Sequence, residues 1–158
     1  MKQRKNSTKS VQAALEAAGL QCSIVELPDS ARTAKQAAQA IGCTVAQIAK
    51  SIVFRASDTG RAVLVVASGV NRINEALIAA HFGESIKIAA TDFVRNVTGY
   101  AIGGVPPCGH IGELQVYLDR DLLELSPLWA AAGTPNAVFS LTPEQLIQLT
   151  AGTVIDVI

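Results

Sequence analysis

The chain has 158 residues, a hydrophobic fraction of 49%, an aromatic fraction of only 4% and a formal net charge of zero. This length fits one domain with a mainly aliphatic core, and no apolar run approaches the roughly 20 residues that span a bilayer. The neutral charge argues against charge-driven binding along a nucleic-acid duplex.

We therefore expect a single soluble domain over residues 1–158, in the cytoplasm and without a membrane partner, with a flexible tail at residues 1–6. Charge is unevenly distributed, since residues 1–100 contain 12 of the 13 basic side chains. This asymmetry would orient an anionic ligand toward the first part of the chain, and two differently solvated faces would explain it equally well.

The three cysteines, Cys22, Cys43 and Cys108, are an odd number and are widely spaced, without a CxxC pair. This pattern fits neither a disulfide framework nor a zinc site, and it is typical of a reducing compartment.

Helix and strand patterns alternate through the first half of the chain. Apolar residues at helical spacing predict a helix over Ser7–Ala18, and "CSIVEL" predicts a strand after it. The capping-box pairs Thr33–Gln36 and Thr44–Gln47 predict two short consecutive helices. The runs "SIVFRA" and "RAVLVVAS", separated by "SDTG", predict a β-hairpin.

In the second half, helices are predicted over Asn71–His81 and Thr91–Val97, each with its first residue as the cap. Thr142, Pro143 and Gln145 predict another helix, as its cap, first-turn proline and capping-box partner. Strands are predicted for "IKIAA", "QVYLD", "AVFSL" and "TVIDVI". Seven short strands mixed with short helices predict an α/β fold, with a mixed sheet or partial barrel and peripheral helices.

Residues 103–110, "GGVPPCGH", concentrate residue types that build special sites. They do not form a phosphate loop, because Pro106 and Pro107 lack N–H groups and no lysine follows. Cys108 and His110 are two potential ligands where zinc takes three or four, so we expect neither a metal nor another cofactor. Cys108 as a nucleophile activated by His110 stays open, beside its alternative role as a small packing residue.

The same segment suggests main-chain chemistry. Gly103 and Gly104 tolerate unusual φ angles and let a ligand approach the backbone closely. Pro106 and Pro107 each restrict the residue before them to extended conformations, which predicts a stiff arm beside two bare amides. Such amides can hold a carbonyl oxygen or an oxyanion, and a rigid loop at the end of a strand is the alternative.

Lys50 lies between the helix capped by Thr44 and the predicted strand "SIVF". A lysine at a helix C-terminus is ordinarily just a favourable partner for the helix dipole. At a helix-to-strand junction it can instead point across the end of the sheet into a cleft, and the residues alone leave both roles open.

The stretch "RTAKQAAQAIGCTVAQIAKSIVFRA", followed by "TGYAIGGVPPCGH" and "GTPNAVFSLTPEQL", resembles the YbaK / prolyl-tRNA-synthetase-associated domain family over about residues 10–157. The resemblance implies a mixed, barrel-like sheet with a cleft for the aminoacylated 3′ end of tRNA. The family's lysine corresponds to Lys50 and its GxxxP element to residues 103–107. Pro106 stands where the cysteinyl-tRNA branch usually has serine, which argues against that branch.

The resemblance further implies a freestanding trans-editing hydrolase that removes a small amino acid from mischarged tRNA, with tRNA(Pro) as one candidate. Catalytic roles are expected for Lys50, Gly103 and Gly104. Substrate-binding roles are expected for Val105, Pro106, Pro107, Gly109, His110 and Asn136.

A neutral domain need contact only the acceptor end of the tRNA, so a synthetase or an elongation factor is expected to supply additional affinity. The alternative to an enzyme is a non-catalytic module of the same fold that binds tRNA ends, a nucleotide or a protein. A thiol-dependent hydrolase that uses Cys108 is a third possibility.

Overall fold

The computed structural model describes residues 2–31 and 33–158, and in these residues a mixed sheet of eight strands is surrounded by five α-helices. The α-helices are α1 (Lys2–Ala17), α2 (Ala34–Ile41), α3 (Glu75–Phe82), α4 (Thr91–Thr98) and α5 (Pro143–Thr150). The strands are β1 (Ile24–Glu26), β2 (Ile48–Ala56), β3 (Ala62–Ser68), β4 (Ile86–Ile88), β5 (Gln115–Asp119), β6 (Leu128–Ala131), β7 (Ala137–Leu141) and β8 (Thr153–Ile155). Short 3-10 helices cover Val45–Gln47 and Arg120–Glu124.

The strands follow the order β1-β7-β6-β2-β3-β5-β8, and β4 pairs with β2 outside this path. The pairs β1–β7, β6–β7, β2–β3 and β2–β4 are antiparallel, whereas β2–β6, β3–β5 and β5–β8 are parallel. The predicted mixed α/β sheet with short peripheral helices is therefore confirmed. No helix among the described residues is long and apolar enough to cross a membrane.

The strand β2 has a continuous neighbour on one side and an interrupted one on the other. Along one edge it pairs with β3 from Ala49 to Arg55. On the opposite edge β6 pairs only with Ile48 and Ala49, and β4 pairs only with residues 54–56. Residues 50–52 therefore have a strand neighbour on the β3 side alone within the described structure, which leaves a gap in the sheet.

The two faces of β2 contribute to different apolar clusters because side chains alternate along a strand. Ala49 and Val53 belong to the main core, whose fully buried members include Leu64 and Phe139. Phe54 belongs to a second cluster with Val63 and Val65, and Ile52 packs against that cluster. The largest fully buried side chains are aliphatic apart from Phe139, as the composition predicted.

Two predicted capping boxes form as the sequence indicates. Before α2, Thr33 Oγ1 accepts from Gln36 N–H, and Gln36 Oε1 accepts from Thr33 N–H, both at 3.1 Å. Before α5, Thr142 and Gln145 make the same reciprocal pair, with Pro143 in the first turn.

The element boundaries differ from the sequence prediction around Lys50. The helix predicted after Thr44 is a single 3-10 turn over Val45–Gln47, and β2 begins immediately afterwards at Ile48. Lys50 is therefore the third residue of a nine-residue strand, and its predicted position at a helix-to-strand junction is wrong. Pairing with β3 and β6 extends the strand beyond what the local pattern indicates.

Other boundaries shift for local reasons. The cap of α3 is Asn74, whose Oδ1 accepts from Ala76 N–H at 3.0 Å, whereas the predicted cap Asn71 bonds to Asp119 and Asp121. The helix α4 begins at Thr91, with Ala90 in the cap position.

One strand and one helix boundary also differ. The strand β6 is not predicted, because "LWAA" is short and its pairing with β2 and β7 is long-range. The helix α1 begins at Lys2 instead of the predicted Ser7, Met1 lies outside the described residues, and the flexibility of residues 1–6 stays a prediction.

Candidate active site

A cleft opens where β2 lacks its second neighbour. Its main chamber has a volume of about 240 Å³ and is lined by Lys50, Ser51 and Ile52 from β2, and by Gly103 and Val105 from the loop between α4 and β5. The structure thus brings together Lys50 and the glycine-proline segment, which the sequence analysis singled out separately. The chamber is also lined by residues of α2 and β6 and by Pro135, which lies next to Gly103.

A smaller chamber of about 140 Å³ continues from the main one. Ser51, Ile52, Gly103 and Val105 line both chambers, and Ile102 does so as well. Apart from Ser51, the side chains around the smaller chamber are apolar. They are Ile52, Val53, Ile88, Ala89, Val94, Ile102 and Val105.

Lys50 is half-buried and lies at the junction of the main chamber with a more open pocket of about 380 Å³. Burial lowers the pKa of its ammonium group below the ordinary value of 10.5, and the negative charge of Asp119 acts in the opposite direction. Arg72 and Glu75 line the open pocket as well, so two basic side chains and one acidic side chain border it.

Asp119 is 1% exposed and is held by neutral donors. Its Oδ2 accepts from Ser68 N–H at 3.0 Å and from Asn71 Nδ2 at 2.8 Å, and its Oδ1 accepts from Asp121 N–H at 3.0 Å. None of these partners is a cation that would neutralise the carboxylate. Its negative charge therefore raises the pKa of Lys50, against the effect of burial.

The two glycines of the segment have different environments. Gly103 is exposed, has a φ of +88° and lines both chambers, and no hydrogen bond from its N–H is found within residues 2–31 and 33–158. Gly104 is buried, its N–H donates to Ala101 O at 3.0 Å and its carbonyl accepts from Gly133 N–H at 3.0 Å. The prediction of two bare amides is therefore wrong for Gly104, whereas Gly103 lines both chambers and its N–H has no hydrogen-bond partner in the described part of the chain.

Gly104 is required for a different reason. A Cβ atom at this position would lie 2.8 Å from both Gly133 O and Thr134 Cα, which are backbone atoms that cannot turn away. The segment therefore packs directly, main chain against main chain, on the loop that precedes β7.

Pro106 and Pro107 are buried beneath the cleft and do not line either chamber, whereas Val105 lines both. Their fixed φ angles stiffen the backbone that carries Gly103 and Val105, while their expected contact with substrate stays a prediction.

His110 and Gly109 also support the segment rather than line the chambers. His110 Nε2 donates to Pro106 O at 2.7 Å, and Tyr100 Oη donates to Gly109 O at 3.4 Å. Burial lowers the pKa of His110, and its bond to Pro106 O opposes this effect only in part.

Asn136 is buried, and its side chain is fully occupied. Its Nδ2 donates to Leu27 O at 3.1 Å and to Asp29 Oδ1 at 3.0 Å, while its Oδ1 accepts from Thr134 Oγ1 at 3.1 Å. Asn136 thus holds the loop from which Pro135 lines the main chamber and does not line either chamber itself, and its expected contact with substrate stays a prediction.

Cys108 lies in the main apolar core, and burial raises the pKa of its thiol to about 11, with a smaller contribution from Cys22. A thiol with this pKa is protonated at neutral pH and is a weak nucleophile. His110 is bonded to Pro106 and does not activate it. Within the described residues, no group of three or more His, Cys, Asp or Glu side chains could hold a metal ion.

Ser51 lines both chambers but belongs to none of the motifs described above. The strand pattern could have pointed to it, because Ala49, Ser51 and Val53 share one face of β2 and a polar residue there lies between two core positions.

The fold and the cleft together define an α/β protein whose site combines a half-buried lysine with a free main-chain amide, which suits a carbonyl or anionic group. The chain belongs to the aminoacyl-tRNA editing domain family, whose model matches residues 28–149. The resemblance seen in the sequence is thereby confirmed.

Several relatives cover most of the chain. A solved structure described as a candidate trans-editing enzyme for prolyl-tRNA synthetase superposes with a TM-score of 0.91 at 47% identity, covering 96% of each chain. Protein YwhH of Bacillus subtilis is 34% identical over 78% of this chain and 78% of its own length. EbsC of Enterococcus faecalis, named as a candidate Cys-tRNA(Pro)/Cys-tRNA(Cys) deacylase, is 25% identical over 76% of this chain and 73% of its own.

A proline–tRNA ligase of Staphylococcus aureus is 28% identical over 68% of this chain, which corresponds to 18% of the ligase. The matched region therefore also occurs as a small part of a much longer protein.

Replacing Gly104 with Ala should lower the free energy of unfolding by about 1–3 kcal/mol, the usual cost of overpacking, because its Cβ would overlap the backbone of residues 133 and 134. Urea unfolding measures this loss. Gly83→Ala is the control, since that glycine has a positive φ but an open environment, and it tests backbone strain alone. A Gly104→Ala protein as stable as the wild type would contradict the close packing.

His110 should make stability depend on pH in the mildly acidic range. Because its folded-state pKa is below the ordinary value of 6.5, the unfolded chain takes up the proton more readily, and stability is lost as pH falls below 6.5. His110→Gln should flatten this dependence in urea unfolding between pH 8 and pH 5, with His81→Gln, at an exposed position, as the control. An unchanged slope in His110→Gln would exclude this contribution.

Proposed function

We propose that this protein is a trans-acting aminoacyl-tRNA deacylase, which hydrolyses the ester between a small amino acid and the terminal ribose of a mischarged tRNA. The observation that carries the proposal is that one chamber of about 240 Å³ is lined both by Lys50 and by Gly103, whose N–H has no hydrogen-bond partner among the described residues. The descriptions of two relatives, one as a trans-editing enzyme and one as a deacylase, support the same reaction.

In this mechanism Gly103 N–H donates a hydrogen bond to the carbonyl oxygen of the aminoacyl ester. When water adds to the carbonyl carbon, the oxygen becomes negatively charged and the bond to the amide strengthens. One preorganised donor of this kind contributes about 3–4 kcal/mol to transition-state stabilisation. The rigid support beneath Gly103, from Gly104 to Pro107, keeps the donor in place before the substrate arrives.

Lys50 holds the terminal phosphate or ribose of the tRNA, or polarises the reacting group, from the junction of the main chamber and the open pocket. The charge of Asp119 favours the protonated form of this lysine in spite of its burial. Water, or a nucleophile within the substrate, attacks. When water attacks, the bond from the carbonyl carbon to the ribose oxygen breaks, and this oxygen takes a proton, which releases the amino acid and the tRNA.

The dimensions of the chambers support selectivity for small amino acids. The smaller chamber, of about 140 Å³, is closed by Val53, Val94 and Val105, so each added methylene has to displace packed aliphatic groups. Discrimination by size alone is worth about 1–3 kcal/mol per methylene.

The neutral charge of the chain supports a contact limited to the acceptor end of the tRNA, with a synthetase or an elongation factor as an additional partner. tRNA(Pro) is the tRNA that the names of the relatives favour. We place these contacts in one domain formed by residues 1–158.

Replacing Lys50 with Ala should lower kcat/KM for deacylation of mischarged tRNA by about a hundredfold or more, the effect of losing one preorganised electrostatic group. Release of free amino acid is the measurement, and Lys9→Ala, on the exposed side of α1, is the control. Retained activity in Lys50→Ala would disprove its role. If the wild-type protein binds tRNA without releasing amino acid in the absence of any partner, the chain is a binding module and not a hydrolase.

Replacing Cys108 with Ala should leave kcat/KM within about twofold of the wild type, because the thiol is protonated and buried. The loss of its sulfur should lower the free energy of unfolding by about 1 kcal/mol through the small cavity that remains. Cys43→Ala, at a half-buried position in another cluster, is the control. Inactivation of the wild type by iodoacetamide, together with an inactive but folded Cys108→Ala variant, would establish a thiol nucleophile instead.

A further inference from the structure

Ser51 has an unusual environment. Among the described residues that are not exposed, its Oγ is the one buried side-chain oxygen or nitrogen without a hydrogen-bond partner. A hydroxyl group that loses contact with water and gains no partner destabilises the fold, so such groups are rare in folded proteins.

The fold itself does not require a serine at position 51. Ser51 lies between Ala49 and Val53 on the face of β2 that packs into the main core, where an alanine or a valine would serve the fold better. It also lies at the gap in the sheet and lines both chambers of the cleft. The missing partner of the hydroxyl group would therefore enter with the ligand.

The chemistry of the chamber walls indicates what that partner is. Lys50 and the Trp129 indole only donate hydrogen bonds, and Thr33 Oγ1 already accepts one from Gln36 N–H at 3.1 Å. The other side chains of the two chambers are apolar, so among the described residues that line them Ser51 carries the side-chain acceptor without a hydrogen-bond partner, although its Oγ is shielded from solvent. On the aminoacyl part of the ester, the α-amino group is the hydrogen-bond donor that such an acceptor suits.

We infer that the Ser51 hydroxyl accepts a hydrogen bond from the α-amino group of the bound aminoacyl ester, and so selects amino acids over other acyl groups. This inference rests on the proposed function. With the ester carbonyl at Gly103 N–H and the α-amino group at Ser51, the substrate side chain points into the smaller, apolar chamber, which both residues line. Lys50 lies on the opposite face of β2, so it does not compete with Ser51 for the α-amino group.

The test compares two nonhydrolysable probes that differ only in the amino group, 3′-(L-alanylamino)-3′-deoxyadenosine and 3′-propionylamino-3′-deoxyadenosine. NMR titration gives the Kd of each probe for the wild type and for Ser51→Ala. The ratio of the two Kd values should change by about tenfold between the proteins, and the propionyl probe should bind both equally, since the coupling belongs to the amino group alone. A ratio that is the same in both proteins, or a wild type that binds neither probe, would overturn the inference.

A measurement of the Tm of Ser51→Ala distinguishes a substrate contact of the Ser51 hydroxyl from a structural role. Because Ser51→Ala removes an unpaired buried hydroxyl, its Tm should be equal to or above that of the wild type, while kcat/KM on alanyl-tRNA falls about tenfold. Ser57→Ala, on the exposed hairpin turn after β2, should change neither quantity. A lower Tm in Ser51→Ala, with activity lost in proportion to unfolded protein, would contradict the inference.

The two proposals fail differently. A wild type that hydrolyses no aminoacyl-tRNA, but shows the tenfold coupling between Ser51 and the amino group of the probe, would disprove the deacylase and leave the contact standing. A wild type that hydrolyses alanyl-tRNA without this coupling would disprove the role of Ser51 and leave the deacylase standing.

Discussion

The cleft depends on the interrupted edge of β2. Two short strands, β6 and β4, pair with the beginning and the end of β2 on the side away from β3, and residues 50–52 between them have no strand there in the described structure. The two chambers lie at this interval, and Gly103 and Val105 from the loop between α4 and β5 line them together with Ser51 and Ile52. Lys50, Ser51 and Gly103 meet at this point because the sheet pairing ends on both sides of it.

The loop between α4 and β5 is held in place by backbone packing and by hydrogen bonds. Gly104 packs its backbone against residues 133 and 134, and His110 closes the segment through Pro106 O. Asn136 fixes the same neighbouring loop to Leu27 and Asp29. Most of the residues expected to touch substrate thus lie outside the lining of the two chambers, and they support the segment that carries Gly103.

The sequence predicts what local patterns encode, namely the mixed sheet and the capping boxes. It also singles out Lys50 and the glycine-proline segment, which contribute to the lining of one chamber, while their catalytic roles stay predictions. It placed Lys50 outside β2 because one 3-10 turn and a short helix share the same capping pattern. It missed β6, whose pairing is long-range, and it could not distinguish Gly104 from Gly103, because their difference lies in contacts with residues 101 and 133. The role of Ser51 depends on the register of β2, which is known only from the folded sheet.

The free edges of the sheet have a consequence for how this fold is used. The strands β1 and β8 at its two ends, and β4 beside β2, are each three residues long. Edges this short offer little template for pairing with another chain, so the sheet is protected from edge-to-edge association. A unit with such edges can be joined to a larger polypeptide without adding an aggregation site, in keeping with the 18% share that it matches in a proline–tRNA ligase.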